Sequence, residues 1–344
     1  MAKYLVVGTG PVGTNHLNEI AKIPEIELVA VADARLDVAK AAAEKFKVKR
    51  FYSSGEEMFA NEKADCVGIF TPANTHCRIA LQALEYGLHV ICEKPFCTNV
   101  AEGRRTIEAF ESKGRMLAIT FNYRFCEDTR KIKEFIVAGR VGRVIEMRSV
   151  SLIGTGKKPL DGTDERRRWD VMFTDAIKGL MFDHGVHSID LFRWYSGREF
   201  KGVTAFGARH QGYSYPDACT AVFQLEGGVK AIYDHGPLPH AELGSGSPRV
   251  FFFSVAGTEG SLLWRYGAER DEQGGLLSVL TLHTRAATEA LKYHHGKSRD
   301  LMHKQFAQCV ADGRLGGFFP KPHDALVVSE WGLKMIASAM ANIV

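Results

Sequence analysis

Through the first 121 residues, short apolar runs alternate with stretches whose apolar positions recur at helical spacing. Tyr4–Val7, Glu27–Ala32, Asp65–Phe70, Leu88–Cys92 and Met116–Phe121 are apolar almost throughout rather than alternating. That pattern predicts strands buried on both faces of a parallel sheet. Leu36–Phe46, Thr75–Tyr86 and Val100–Glu111 read as the intervening helices, and Gly87 stands where a helix-closing glycine belongs. Strand–helix alternation of this kind predicts a doubly wound α/β fold.

After Phe121 the rhythm changes. A helix is expected near Asp128–Ala138, closed by Gly139, followed by strands at Arg143–Leu152, Gly202–Gly207, Cys219–Leu225, Val229–Asp234, Val250–Ala256 and Ser261–Trp264. Glu226-Gly227-Gly228 and Gly257-Thr258-Glu259-Gly260 supply turns between them. One helix interrupts the strands at Met181–Tyr195, and the last forty or so residues look helical. The expected division is a Rossmann domain at 1–122 and an α+β domain with a large, mostly antiparallel open sheet at 123–344. Gly154–Arg168 and Ala286–Lys297 read as mobile loops.

Composition narrows the function classes. The chain has 344 residues, enough for two cores, with 45% hydrophobic and 24% charged residues, as in ordinary globular proteins. A net charge of +4 is too small for a nucleic-acid binder, which needs a strongly basic face. Seven cysteines at 66, 77, 92, 97, 126, 219 and 309 show no CxxC spacing, so reduced thiols are expected rather than a disulfide framework. No leader pattern opens the sequence and no apolar run approaches a membrane span. A cytoplasmic protein is expected, with no membrane partner.

Candidate chemistry begins at Gly8-Thr9-Gly10-Pro11-Val12-Gly13, a GxGxxG run between a strand and a helix expected to start near Val12. Gly8 permits the tight turn, Gly10 lets a pyrophosphate approach the backbone, and Gly13 lets helix and strand pack closely. The helix start then offers unpaired N–H groups to phosphate. The second strand ends in Asp33, which can accept both ribose hydroxyls while repelling a 2′-phosphate. NAD is therefore the expected cofactor. Arg35 keeps NADP open, since an arginine there can receive a 2′-phosphate or simply lie in solvent.

Further motifs follow the strand ends: Thr71-Pro72-Ala73-Asn74-Thr75-His76, Glu93-Lys94-Pro95, Asn122-Tyr123-Arg124-Phe125, and then Asp183-His184-Gly185-Val186-His187-Ser188-Ile189-Asp190. Together, in this order and spacing, they make the chain resemble the Gfo/Idh/MocA oxidoreductases, which include inositol and sugar dehydrogenases. The likeness spans nearly the whole chain. It implies that nicotinamide lies where Thr71, Pro72, Asn74, His76, Glu93, Lys94, Pro95 and Asn122 converge. It also implies Lys94, His187 and Asp183 as catalytic groups, and a homodimer or homotetramer formed through the C-terminal sheet.

Oxidising an alcohol needs a hydride acceptor and a base, and the protein supplies the base. His187 suits that role, since an ordinary imidazole is largely neutral near pH 7. Asp183, four residues earlier on a helix, shares its face and can orient the ring or hold a hydroxyl. Lys94 can stabilise a developing alkoxide or, desolvated, act as base itself. The proton acceptor stays open between the two. Substrate contacts are expected from Tyr123, Arg124, Arg168, Trp169 and Lys178. Arginine pairs with hydroxyls or acids and an indole stacks on a sugar ring, although 164–168 also reads as a charged lid. Lys178 stands where many relatives carry glycine, and either reaches the pocket or is solvated. No metal is expected, because His184 and His187 find no further ligand at metal spacing.

The sequence thus predicts an NAD(P)-dependent oxidoreductase acting on a secondary alcohol or ketone of a sugar, cyclitol or sugar derivative. Two alternatives keep the same residues: a redox-neutral sugar-processing enzyme with tightly held NAD, and a non-catalytic dinucleotide-binding sensor.

Overall fold

A computed structural model describes residues 1–156, 174, 177–210, 213–242, 249–294 and 298–344. Arg168 and Trp169 lie outside the described residues, as does most of the loop expected at 154–168; Gly154–Gly156 instead prolong a strand. The chain forms two compact units, one of Met1–Phe125 with Lys297–Ser329 and one of Cys126–Gly296 with Glu330–Val344.

The first unit is built on six parallel strands: β1 (Ala2–Val7), β2 (Ile26–Ala32), β3 (Arg50–Tyr52), β4 (Cys66–Ile69), β5 (His89–Cys92) and β6 (Leu117–Ile119). Their spatial order, β3-β2-β1-β4-β5-β6, reverses direction between β1 and β4. The connecting helices are α1 (Pro11–Ile20), α2 (Leu36–Phe46), α3 (Gly55–Asn61), α4 (His76–Glu85) and α5 (Val100–Ser112). Strand β3 and helix α3 escape the sequence pattern, because one has three residues and the other seven. Helix α8 (Ser298–Asp312) and the start of α9 (Pro322–Ala341) also belong to this unit, although they fall within the expected 123–344 domain. The physical reason is apolar: Met302, Phe306, Cys309 and Phe319 share a buried core with Tyr4, Val6, Leu17 and Phe70. Burying such side chains stabilises by about 1.5–3 kcal/mol each.

The second unit opens with α6 (Glu127–Val137) and carries an eight-stranded sheet of order β14-β13-β12-β11-β7-β10-β9-β8. Its strands are β7 (Val144–Gly156), β8 (Phe200–Ala208), β9 (Ala218–Leu225), β10 (Lys230–Glu242), β11 (Arg249–Gly257), β12 (Gly260–Arg270), β13 (Leu276–Thr284) and β14 (Thr288–His294). Only β7 and β10 run parallel. The register sorts the two faces. One row across the sheet, Ala205, Ala221, Tyr233, Ser149, Phe253, Trp264 and Leu280, is wholly buried. The adjacent row, Thr204, Val222, Ile232, Arg148, Ser254, Leu263 and Thr281, is half-buried or exposed. Helix α7 (Leu180–Ser196) lies on the buried face, with the Ser188 and Ser149 hydroxyls 2.8 Å apart and Gly185 leaving room for the Tyr233 ring.

One expectation fails. Ala286–Lys297 is not a loop over its described length, because Thr288–His294 pairs with β13 as the sheet's edge strand. Its exposed positions, Thr288, Ala290, Lys292 and His294, carry no large apolar side chain, so the run lacks the apolar signature of a central strand yet suits an edge.

Candidate active site

In open α/β sheets ligands bind beyond the strand carboxyl ends, at the point where strand order reverses. Four predicted segments of the first unit stand there, after β1, β4, β5 and β6. Gly8 has φ +90°, and a methyl group on it would lie 2.6 Å from the Phe70 carbonyl oxygen. A methyl group on Gly13 would sit 1.9 Å from the Gly8 oxygen. Gly10, in contrast, faces open space, with nothing within 4 Å. Two of the glycines therefore serve packing, and the third leaves room for a ligand. Gly10 and Pro11 start α1 without any side-chain cap, whereas Ser54 caps α3 and Asn99 caps α5. The first amides of α1, at Val12 and Gly13, are suited to an anion.

Asp33 is aimed by the backbone. One carboxylate oxygen accepts the Thr9 N–H at 2.8 Å, and the other accepts the Arg35 N–H at 3.0 Å. The first oxygen also accepts the Thr9 hydroxyl at 3.3 Å, so it is the second that retains a lone pair for a hydroxyl donor. The arrangement fits the adenosine ribose of a dinucleotide. Arg35 itself is exposed at the start of α2.

Beyond β4, the Thr75 hydroxyl donates to Pro72 O at 2.7 Å, so the Thr71 hydroxyl, also 2.7 Å away, donates to Thr75. Asn74 sits in the short 3-10 turn between them. His76 is fully buried, with Nδ1 2.9 Å from Pro95 O and Nε2 2.8 Å from Thr71 O, and so ties the two turns together. Burial lowers its pKa, although the Thr71 and Pro95 carbonyls pull the other way. After β5 comes Glu93-Lys94-Pro95, with a cis Lys94–Pro95 bond. The Glu93 N–H donates to Ile69 O at 2.9 Å, which places the turn beside the end of β4. Asn122 follows β6, its amide 3.5 Å from the Ser298 hydroxyl; Tyr123 is half-buried and Arg124 only 7% exposed.

In the second unit the remaining predicted residues gather at the start of α7. Asp183 and His187 lie one turn apart on that helix, both half-buried. The Asp183 carboxylate also stands 3.5 Å from His184 Nε2. Lys178 has φ +65° and Gly179 +89°, so the chain enters the helix through two left-handed residues. Sequence reasoning missed His235 on β10. It is 2% exposed, lies 6.2 Å from the His184 ring, and stacks on Tyr233. Burial, with help from His184, pushes its pKa down to about 3. The period-two pattern of β10 gave it no more notice than any other inward position. Among the described residues no group of three His, Cys, Asp or Glu could hold a metal ion, and no helix is long and apolar enough to cross a membrane.

Comparison with known proteins agrees with this geometry. Residues 2–121 match the family model for the oxidoreductase family NAD-binding Rossmann fold, and residues 129–263 match the GFO/IDH/MocA C-terminal domain. The chain is similar to myo-inositol 2-dehydrogenase of Thermotoga maritima, 29% identical over 59% of this chain and 57% of that protein. It is similar also to scyllo-inositol 2-dehydrogenase (NAD(+)) of Bacillus subtilis, 25% identical over 90% and 86%. It spans between half and two thirds of the length of the first curated relatives it matches. Scyllo-inositol dehydrogenase from Lactobacillus casei, solved with NAD(H) and scyllo-inositol, shares the fold with a TM-score of 0.78 at 21% identity, over 100% of this chain and 98% of that one. With both domain models matching in order, the chain belongs to the Gfo/Idh/MocA oxidoreductase family.

Proposed function

We propose that the chain is a nicotinamide-dependent dehydrogenase or reductase acting on a CH–OH group of a sugar, cyclitol or sugar derivative. The observation that carries this reading is the set of turns after β1, β2, β4, β5 and β6: an open-faced Gly10, a backbone-aimed Asp33, and Lys94 held at the end of β5. The named relatives, dehydrogenases of inositols, support the substrate class.

In this reading the amides of 8–13 receive the pyrophosphate and Asp33 receives the adenosine ribose, which favours NAD over NADP. Thr71, Pro72, Asn74, His76, Glu93, Pro95 and Asn122 line the nicotinamide end. Nicotinamide held there would supply the acceptor for the hydride leaving the alcohol carbon. Lys94 holds the reacting oxygen, so that its charge stabilises negative charge growing there. The hydroxyl proton passes to His187, oriented by Asp183, or to Lys94, leaving a ketone. Tyr123, Arg124 and Lys178 complete the substrate contacts. The open row of the second sheet, with Val222, Ile232 and Leu263, serves assembly into a homodimer or homotetramer.

The test is a sugar and polyol panel with NAD and NADP, followed at the absorbance of reduced nicotinamide. Lys94→Ala is expected to lower turnover by about 10²–10⁴-fold while still binding the dinucleotide. Undiminished turnover in that variant, or a wild-type protein with no affinity for either nucleotide, refutes the reading. Light scattering on the same sample is expected to give a multiple of 38.1 kDa.

A further inference from the structure

The first unit holds a line of buried polar groups of which the proposed function uses only Glu93. Tyr4 on β1, His16 on α1, His303 on α8 and Glu93 after β5 are each at most 9% exposed. The Tyr4 hydroxyl lies 3.3 Å from His303 Nδ1. His303 Nε2 lies 2.8 Å from His16 Nδ1, and His16 Nε2 lies 2.9 Å from Glu93 Oε1. The same oxygen accepts the Thr120 hydroxyl at 2.7 Å, and Oε2 accepts the Lys94 backbone N–H at 3.1 Å. The His16 ring stacks on Phe70 with centroids 3.9 Å apart.

With Glu93 ionised and both rings neutral, only one placement of hydrogens satisfies every contact. An ionised carboxylate accepts only, so His16 donates from Nε2. A neutral ring then accepts at Nδ1, which makes His303 the donor from its own Nε2. His303 accepts in turn at Nδ1 from the Tyr4 hydroxyl. Every donor points one way, toward Glu93. A proton added to His16 would set two hydrogens face to face at the 2.8 Å contact unless His303 reversed its tautomer and turned its Nδ1–H on Tyr4.

Burial favours the neutral rings, pushing both histidine pKa values down, and the Arg299 charge acts in the same sense. Burial alone would raise the Glu93 carboxyl; the contacts from His16, Lys94 and Thr120 outweigh it and carry it well below the carboxylate range. The remaining groups facing the line are His76, near Glu93, with Cys66 and Cys309 beside Tyr4. The His16–Glu93 contact is therefore a hydrogen bond onto an anion rather than an ion pair. A buried anion is costly, and a packed apolar residue would often be as stable. What this anion does beyond packing is hold the amide of Lys94.

We propose that His16 and His303 are positioning residues for Lys94, a one-way donor line that fixes Glu93 and, through its second oxygen, the backbone from which the lysine side chain extends. The proposal rests on Lys94 acting at the reacting carbon, as above.

Two measurements test it. In protein labelled with ¹⁵N-histidine, at least two of the thirteen imidazoles are expected to be neutral Nε2–H tautomers that do not titrate in the ordinary histidine range, about pH 6 to 8. One signal disappears in His16→Phe and the other in His303→Phe. Kinetically, His16→Phe keeps the stack on Phe70 but removes the donor, so kcat is expected to fall about 10–100-fold while KM and dinucleotide Kd stay within about threefold. His16→Gln places an amide N–H near the lost Nε2–H and is expected to recover most of kcat, even if it melts lower than the phenylalanine variant. A titrating ring, an Nδ1–H tautomer at either histidine, or equal kcat in the Phe and Gln variants overturns the proposal. Where His16→Phe does not fold, Glu93→Gln replaces it, with the same kcat loss expected and an unchanged kcat refuting. Lys94→Ala separates the two readings. If it retains turnover, Lys94 has been given the wrong task; if it is inactive while Phe and Gln variants agree, only the positioning line fails.

Discussion

At the residue scale, the glycine loop separates what the fold needs from what a ligand needs. Gly13 and Gly8 are packed against backbone, so a side chain at either position has to move the chain itself. A side chain on Gly10 would meet nothing, so its absence gains the folded protein no contact. Gly13→Ala is accordingly expected to cost about 1–3 kcal/mol of stability or more. Gly10→Ala is expected to melt like the wild type yet bind NAD at least about tenfold more weakly, a loss of about 1.4 kcal/mol. Thermal melts and dinucleotide titrations of the two variants check this. Equal behaviour of the pair would show that the open space over Gly10 is not where the dinucleotide lies.

At the element scale, the entry to α7 is the place where local geometry and residue type disagree. Lys178 adopts φ +65°, a conformation that costs a residue with a Cβ about 1–2 kcal/mol. Glycine would avoid that cost but would lose about 0.5–1 kcal/mol through its freer unfolded chain. Lys178→Gly is therefore expected to stabilise the protein by about 0.5–1 kcal/mol, read by chemical denaturation. If the lysine contacts substrate, the same variant raises KM for acidic substrates more than for neutral ones. A stable variant with unaltered KM across both classes would make it a surface lysine. The sequence showed that the position was unusual; the strain became visible only with the backbone angle.

At the scale of the whole molecule, the buried histidines set the acid limit of stability. His16, His76, His235 and His303 all have pKa values lowered chiefly by burial. The unfolded chain, with histidines near 6.5, then binds more protons than the folded one at mildly acid pH. Stability must fall as pH drops below about 6.5, with a slope approaching one proton for any ring that stays neutral in the fold while the unfolded chain takes its proton. For His235 the window runs from 6.5 down to about 3. Glu93 acts in the same direction lower down, its contribution being lost as pH falls below the ordinary carboxylate range. Denaturation measured from pH 7 to 5 is expected to show this slope, and His235→Asn to reduce it by one proton. A flat profile would mean that these rings reach water or a counter-charge.

Local pattern was enough for the parallel sheet, its helices, the GxGxxG loop and the acid that follows it, because a strand buried on two faces and a glycine beside a phosphate leave marks within a few neighbouring residues. Asp183 and His187 stand one turn apart on α7, as their spacing predicts, but it is the family resemblance, not local pattern, that singles them out for chemistry. What only tertiary structure decided involves partners far apart in the chain. The short β3 and α3, the polar edge strand β14, and the return of α8 to the first unit depend on what each packs against rather than on its own period. So does the Tyr4–His303–His16–Glu93 line, in which His16 and His303 stand 287 residues apart. Hydrophobic periodicity records which side of an element faces inward; it carries no information about which buried polar group another element will bring to meet it.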